Sequence, residues 1–288
     1  MIKYNLKSYC KINLTLKVLK KLKNGFHNIE SLVTFCNLHD KITISKIKST
    51  NDKIIFSGKF SRGINNKLNT INKVLFLLRK KNFFKNQAFK IKVIKNIPHG
   101  SGLGGGSSNA ATLLNFFNSK MHLNLNKYEI IKMASQIGFD VPVNLLKQNT
   151  LIFGGSRNLL RFNQKFNLNL LIVYPNIVCT TKKIYKKNKK FSLVNNHLKT
   201  VNKKNKKQLI NFLENENNDL QAAVFKYYPK VRKIINFIKL QKNCCFSRIT
   251  GSGSACIGIF FDNRSAIYAQ KLIKLKFPKY WCVVSKTI

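Results

Sequence analysis

The stretch Pro98-His99-Gly100-Ser101-Gly102-Leu103-Gly104-Gly105-Gly106-Ser107-Ser108 constrains this 288-residue chain more than any other segment. Its glycines remove the Cβ atoms that would keep main-chain N–H groups from converging on a ligand. Before it, Phe89, Ile91 and Val93 alternate with Lys90 and Lys92, the period of a half-buried strand. After it, AATLLNFFNSKM carries apolar residues at helical spacing. A glycine loop between a strand and a helix head sets unpaired N–H groups, two serine hydroxyls and the Asn109 amide at the positive end of a helix dipole. Such a loop is suited to phosphate oxygens. A flexible linker would not be framed by an alternating strand and an apolar-faced helix.

Three familiar phosphate loops do not fit. Gly100, Gly102 and Gly105 satisfy G-x-G-x-x-G, but a dinucleotide site wants an acid about 20 residues further on. None lies near Lys120, and the next acid is Glu129. A P-loop requires Gly-Lys-Ser/Thr, and no lysine follows Gly105 or Gly106. The protein-kinase loop comes with H-R-D and D-F-G, and the chain has neither.

Fifty-three Lys and Arg stand against nine Asp and Glu, a formal net charge of +44. The lysines run from Lys3 to Lys286, with local density only at 182–190 and 203–207, and Asn, Ile and Phe are abundant beside them. All four have A/T-rich codons, so the charge reads as composition rather than as a binding face, and no nucleic-acid partner is expected. At 44% hydrophobic residues the chain can bury a core. It has no run of about 18 apolar residues, so no membrane span is expected. The opening MIKYNLKSYCKINL has no apolar h-region, so no signal peptide is expected either. The seven cysteines form no C-x-x-C pair, which argues for a reduced, cytoplasmic protein without a disulfide framework, and no metal-ligating residues stand out.

Alternation over 10–18, 41–47 and 89–93 predicts strands, and it puts Lys11 and Asn13 on one polar face. Residues 69–80 read as a helix. Asn126 with Glu129 reads as a capping box for another, which Gly138 ends. Composition shifts after Gly154-Gly155. Beyond it come a strand at 168–174, helices near 208–213, 219–225 and 231–240, and a strand, helix and strand at 256–261, 265–275 and 281–285. The fold class is α+β, with domains expected at 1–158 and 159–288.

Nine carboxylates leave few candidates for acid–base chemistry. Asp40 reads as a turn residue, Asp219 and Glu129 as helix caps, and Asp262 as the end of a strand. Glu30 follows Gly25-Phe26-His27 at a short distance, and Asp52, Glu214 and Glu216 lie in polar stretches. Asp140 stands between Gly138 and Val141-Pro142, where it can cap a helix or act as a base. From residues alone Lys11 is an ordinary strand lysine.

The loop PHGSGLGGGSSNAA resembles the second motif of the GHMP kinases, the superfamily of galactokinase, homoserine kinase, mevalonate kinase and phosphomevalonate kinase. Thr250-Gly251-Ser252-Gly253-Ser254-Ala255 resembles its third. SYCKINLTLKVLKKLKNGFHNIESL and GFDVPVNL resemble the branch that phosphorylates 4-diphosphocytidyl-2-C-methyl-D-erythritol. The motifs stand in family order over essentially the whole chain, with the weakest match at about 176–215. The resemblance implies a two-domain fold, with an N-terminal half like domain 2 of ribosomal protein S5 and a ferredoxin-like C-terminal half. It implies ATP held by residues 98–108 with Mg²⁺. It also implies a small-molecule acceptor, a cytidyl diphosphate sugar alcohol, phosphorylated on its 2-hydroxyl in the non-mevalonate route to isopentenyl diphosphate.

Carried over residue by residue, the resemblance makes Asp140 the catalytic base and Lys11 its cationic partner. It gives Asn13, Phe26, His27, Tyr185, Gly251, Ser252 and Gly253 to the acceptor, with Phe26 and Tyr185 flanking the cytosine. Phe26 stands where the pattern usually has Tyr, which keeps a stacking face and loses a hydroxyl. His99 replaces a commoner apolar residue. The rival readings are a homoserine- or mevalonate-type GHMP kinase and a basic, non-catalytic nucleic-acid-binding protein.

Overall fold

The structure is a computed structural model that describes residues 2–23, 25–154 and 158–288; Gly155, where composition shifts, lies outside the described residues. The chain forms two compact units, each assembled from separate stretches. One takes residues 1–10, 38–99 and 104–146, the other 11–37, 100–103 and 147–288. Strands β1 (Lys3–Asn13) and β3 (His27–Ile47), which pair with each other, contribute residues to both.

In the first unit β4 (Lys53–Ser57) runs parallel to β5 (Ala88–Ile94), and β5 runs antiparallel to the later part of β3. The helix α1 (Thr70–Lys80) makes the crossover between the two parallel strands, which need such a connection. Asn69 starts it, its side chain accepting the N–H groups of Ile71 and Asn72. The register sets Ile42 opposite Val93 and Ile44 opposite Ile91, all fully buried. On this face pack α1, α2 (Gly105–Lys120), α3 (Lys127–Ile137) and the short α4 (Val141–Asn144), through Leu75, Leu78, Leu113, Phe117 and Met133. The capping box of Asn126 and Glu129 forms as expected, and α3 ends at Gly138. Asp40 is not in a turn. It lies within β3 and is fully buried, where it accepts Lys95 Nζ and the N–H groups of Asn96 and Ile97. A strand can hold a carboxylate at its core when a buried cation and two main-chain donors compensate it.

In the second unit β2 (Lys17–Lys21) pairs with the start of β3. That start also pairs with β6 (Asn149–Phe153), which pairs with β7 (Asn158–Phe162). A four-stranded antiparallel sheet follows in the order β11 (Trp281–Lys286), β8 (Asn169–Tyr174), β10 (Cys256–Phe260), β9 (Cys244–Ile249). Its core elements follow as β8, α8 (Pro229–Lys239), β9, β10, α9 (Asn263–Lys276) and β11. This β-α-β-β-α-β succession, with its first strand beside its last and its third beside its second, is ferredoxin-like. Ile234, Ile235, Ile238, Ala269 and Ile273 of the two helices meet Leu171, Val173 and Cys256 in one buried cluster. Gly258 lets α8 seat against the sheet, since a Cβ there would stand 2.4 Å from Ile238. Between β8 and α8 lie α5 (Thr181–Lys187), a 3₁₀ segment (Asn196–Lys203), α6 (Lys206–Glu214) and α7 (Gln221–Tyr227). Asp219 does not cap α7. Asn218 accepts the Leu220 N–H instead, while Asp219, 1% exposed, accepts the Val18 N–H and pairs with Lys190.

The expected strand over 10–18 is broken. β1 ends at Asn13 and β2 starts at Lys17, with the N–H groups of Leu14 and Thr15 both directed to the Leu32 carbonyl. Its polar face is not solvated either: Lys11, Asn13 and Thr15 are all buried. Among the described residues, no helix is long and apolar enough to cross a membrane.

Candidate active site

In the second unit, Lys11 and Asn13 leave β1 beside the Thr250–Gly253 turn. Lys11 Nζ donates to Asn13 Oδ1 at 2.5 Å, and the Asn13 N–H donates to Thr250 Oγ1 at 2.8 Å. Gly251 has φ +57°, and a Cβ on it would lie 3.3 Å from Asn13 Oδ1 and 3.0 Å from the Gly102 carbonyl. Main-chain bonds bind residues 100–103 to the same centre: the Lys11 N–H to the Leu103 carbonyl, Ala255 to Ser101 and Cys179 to Gly100. The fold thus gathers Lys11, Asn13, Ser101, Gly102, Leu103, Gly251 and Gly253.

Asn218 and Thr181 of this centre lie outside the clearest sequence motifs, and Thr250 had no role of its own assigned within one. Thr250 Oγ1 holds Asn13, Asn218 donates its amide to the Ile249 and Gly251 carbonyls, and the Thr181 and Ser252 hydroxyls lie 2.9 Å apart. Only Thr250 carried a signal, from its place in the motif.

The hairpin between β2 and β3 turns at Gly25, φ +81°, where the Leu22 N–H donates to the Phe26 carbonyl. Phe26 is 48% exposed, too open for a core phenylalanine. Beyond it His27 faces Tyr185 of α5, with ring centroids 5.2 Å apart. Burial, and then Lys21, hold His27 below the usual histidine pKa. A neutral imidazole keeps one ring nitrogen as an acceptor.

In the first unit the loop enters α2 through Gly104, φ +69°, without a side-chain cap. The N–H groups of Gly105, Gly106 and Ser107 therefore sit at an uncapped helix head, with no intrahelical acceptor. The two serines differ: Ser108 is buried and its hydroxyl donates to the Tyr9 carbonyl at 2.6 Å, whereas Ser107 is half-buried. The buried Lys95–Asp40 pair lies below this turn, with Lys95 Nζ 3.3 Å from where a Gly105 Cβ would stand. His99 Nε2 lies 3.1 Å from the Arg62 carbonyl and ties the 58–69 segment to the loop. Burial, and then Lys95, lower its pKa. Asp140 precedes α4 with helical dihedrals but makes no side-chain cap bond; its carbonyl accepts Asn144 Nδ2 at 2.6 Å. Helix capping does not account for its carboxylate.

The loop glycines divide by role. A Cβ on Gly102 would stand 2.1 Å from the Thr250 carbonyl at φ +83°, whereas one on Gly106 would meet only Thr70, at 3.6 Å. Gly102→Ala is expected to destabilise the protein by about 2 kcal/mol or more, combining strain and overlap. Gly106→Ala, at a helical position, is expected to leave the melting temperature unchanged or slightly raised. Thermal melts of the pair check this.

An uncapped helix head behind a glycine loop, in a chain that also carries a ferredoxin-like sheet, is built to bind phosphate. The model of the GHMP kinase N-terminal domain matches residues 69–148, and that of the GHMP kinase C-terminal domain matches 199–271. The 4-diphosphocytidyl-2-C-methyl-D-erythritol kinase of Pelagibacter ubique is 39% identical over 290 residues, covering 100% of both chains. That of Caldanaerobacter subterraneus subsp. tengcongensis is 32% identical, over 100% of this chain and 98% of its own. A crystal structure of 4-(cytidine 5'-diphospho)-2C-methyl-D-erythritol kinase superposes with a TM-score of 0.79 at 20% identity, covering 98% of this chain and 99% of that one. Homoserine kinase from Cytophaga hutchinsonii gives 0.70 at 15% identity, covering 99% and 94%. The chain belongs to the GHMP kinases and, within them, to the 4-diphosphocytidyl-2-C-methyl-D-erythritol kinase family.

Proposed function

We propose that this protein transfers the γ-phosphoryl group of ATP to the 2-hydroxyl of 4-diphosphocytidyl-2-C-methyl-D-erythritol, giving the 2-phosphate and ADP. The step belongs to the methylerythritol phosphate route to isopentenyl diphosphate and takes place in the cytoplasm. One observation carries the acceptor assignment: exposed Phe26 adjoins His27, whose ring faces Tyr185. Aromatic faces beside a hydrogen-bonding imidazole suit a pyrimidine base, and neither homoserine nor mevalonate carries one.

The α2 head and the main chain of the glycine loop bind the triphosphate. Asp140 accepts the proton of the attacking hydroxyl, and Lys11 neutralises the charge that develops on that oxygen. Asn13 and the 250–253 turn orient the acceptor, with Ser252 offering a hydroxyl. Mg²⁺ on a nucleoside triphosphate takes most of its ligands from phosphate and water and needs one or two protein oxygens. The Ser107 hydroxyl at the helix head fits that demand, whereas Ser108 is committed to Tyr9. When bound, the ion supplies neutralisation of phosphate charge.

The test is ADP release from purified protein, ATP and Mg²⁺ with the cytidyl acceptor, homoserine or mevalonate. Turnover only with the cytidyl acceptor is expected, and turnover with either of the others in its place overturns the assignment. Phe26→Ala is expected to weaken the cytidyl acceptor by about 1–3 kcal/mol while the KM for ATP stays the same. Equal losses for both substrates, measured by steady-state kinetics, would make Phe26 a structural residue.

A further inference from the structure

Ser31 has no role assigned from the sequence, yet it stands in a one-way chain of hydrogen bonds that runs from Lys11 to the Thr15 carbonyl. Ser31 Oγ lies 2.5 Å from the Thr15 carbonyl oxygen, Asn13 Nδ2 lies 2.7 Å from Ser31 Oγ, and Lys11 Nζ lies 2.5 Å from Asn13 Oδ1. A carbonyl oxygen can only accept, so the serine spends its single proton on Thr15. Its oxygen is then an acceptor, and the side of the Asn13 carboxamide facing it must be the NH₂. The carboxamide oxygen is thereby turned the other way, toward Lys11. An ammonium has only protons to give, so the other end of the chain demands the same orientation. Ser31 and Thr15 are 0% exposed, Asn13 3% and Lys11 5%, so water does not replace these bonds. The Asn13 main chain is pinned as well, by its N–H on Thr250 Oγ1.

We propose that Ser31 is a positioning residue for phosphoryl transfer: it fixes the polarity of the Asn13 carboxamide and so holds the Lys11 ammonium in one place. This rests on the role given to Lys11 above. Without the Ser31 hydroxyl, the buried NH₂ of Asn13 loses its acceptor, and the amide gains freedom to turn its NH₂ toward the ammonium, which repels it. Lys11 then loses its fixed acceptor. The defect falls on the reacting oxygen rather than on nucleotide binding, because none of the four residues belongs to the α2 head.

The test compares Ser31→Thr with Ser31→Val, which have nearly the same shape and differ by the hydroxyl. Ser31→Val is expected to lower kcat about tenfold or more, as small misplacements at a reacting centre do, with the KM for ATP unchanged within about twofold. Ser31→Thr is expected to retain kcat within about twofold of the parent. Equal kcat values for the two variants, or a rise in the KM for ATP matching the fall in kcat, overturn the proposal. A measurement on the unaltered protein decides the matter even if Ser31→Val does not fold: the Asn13 side-chain amide protons should exchange slowly by NMR, and fast exchange overturns the proposal. Lys11→Met run in parallel separates the two ideas. Undiminished turnover in Lys11→Met removes the role of Lys11 and this inference with it. Lost turnover in Lys11→Met beside a fully active Ser31→Val removes only the inference.

Discussion

Asp140→Asn is expected to lower kcat by about 10²–10⁴-fold, the usual contribution of a general base, or roughly 3–5.5 kcal/mol at the barrier. The melting temperature should stay where it is. Asn has the shape of Asp, and the two are nearly equal at the head of a helix. The Asp140 side chain makes no cap bond to α4 in any case. A purely structural Asp140 therefore predicts no change in either quantity, whereas a base predicts a collapse of one of them. Steady-state kinetics beside a thermal melt decide it, and a well-folded Asp140→Asn enzyme with more than about a tenth of the parental turnover would put the base elsewhere.

Lys11→Met is expected to lower kcat by about 10²–10³-fold, the range seen when a donor to a developing oxyanion is removed. Here stability also falls. Methionine fills the volume of the stem but leaves Asn13 Oδ1, 3% exposed as a residue, without its ammonium donor. An unsatisfied buried acceptor costs about 1–3 kcal/mol, so a lower melting temperature accompanies the slower turnover. The two variants thus have different signatures: Asp140→Asn loses rate alone, Lys11→Met loses rate and stability together. A Lys11→Met protein with a lower melting temperature and parental kcat would make Lys11 a purely structural residue. Activity and melting curves on the same preparations check this.

The glycine loop was the most legible part of the chain because its signal is local. Close spacing of glycines, a preceding alternating strand and a following apolar-faced helix all lie within about thirty residues, and each follows from backbone geometry. The capping box at Asn126 with Glu129 was legible for the same reason. Asp40 and Asp219 depart from the turn and cap expected of them because their partners are remote. Turn and cap preferences describe a carboxylate with nearby N–H groups, whereas Asp40 is held by residues 95–97 and Asp219 by Val18 and Lys190. The role proposed for Lys11 was not legible in residue chemistry, and that proposed for Asp140 was legible only as one of two readings, helix cap or base. Among so many lysines, only the resemblance of the surrounding motif singled one out.

Local pattern by itself determined the α+β class, most of the element positions, the phosphate-suited loop and the short list of nine carboxylates. Each of these depends on interactions within a few residues, or on composition, and the sequence displays both directly. Which polar residues are buried together follows from long-range packing alone. The face of Lys11, Asn13 and Thr15 has the alternation of a solvated strand, but Ser31 and Thr250 close over it with bonds spanning 18 and 237 residues. Likewise Gly102 reads as one more flexible glycine, and only the Thr250 carbonyl packed against it makes the missing Cβ a requirement. Burial and donor–acceptor polarity belong to pairs of groups, and when the two members are far apart in the chain neither one shows the partner it will have.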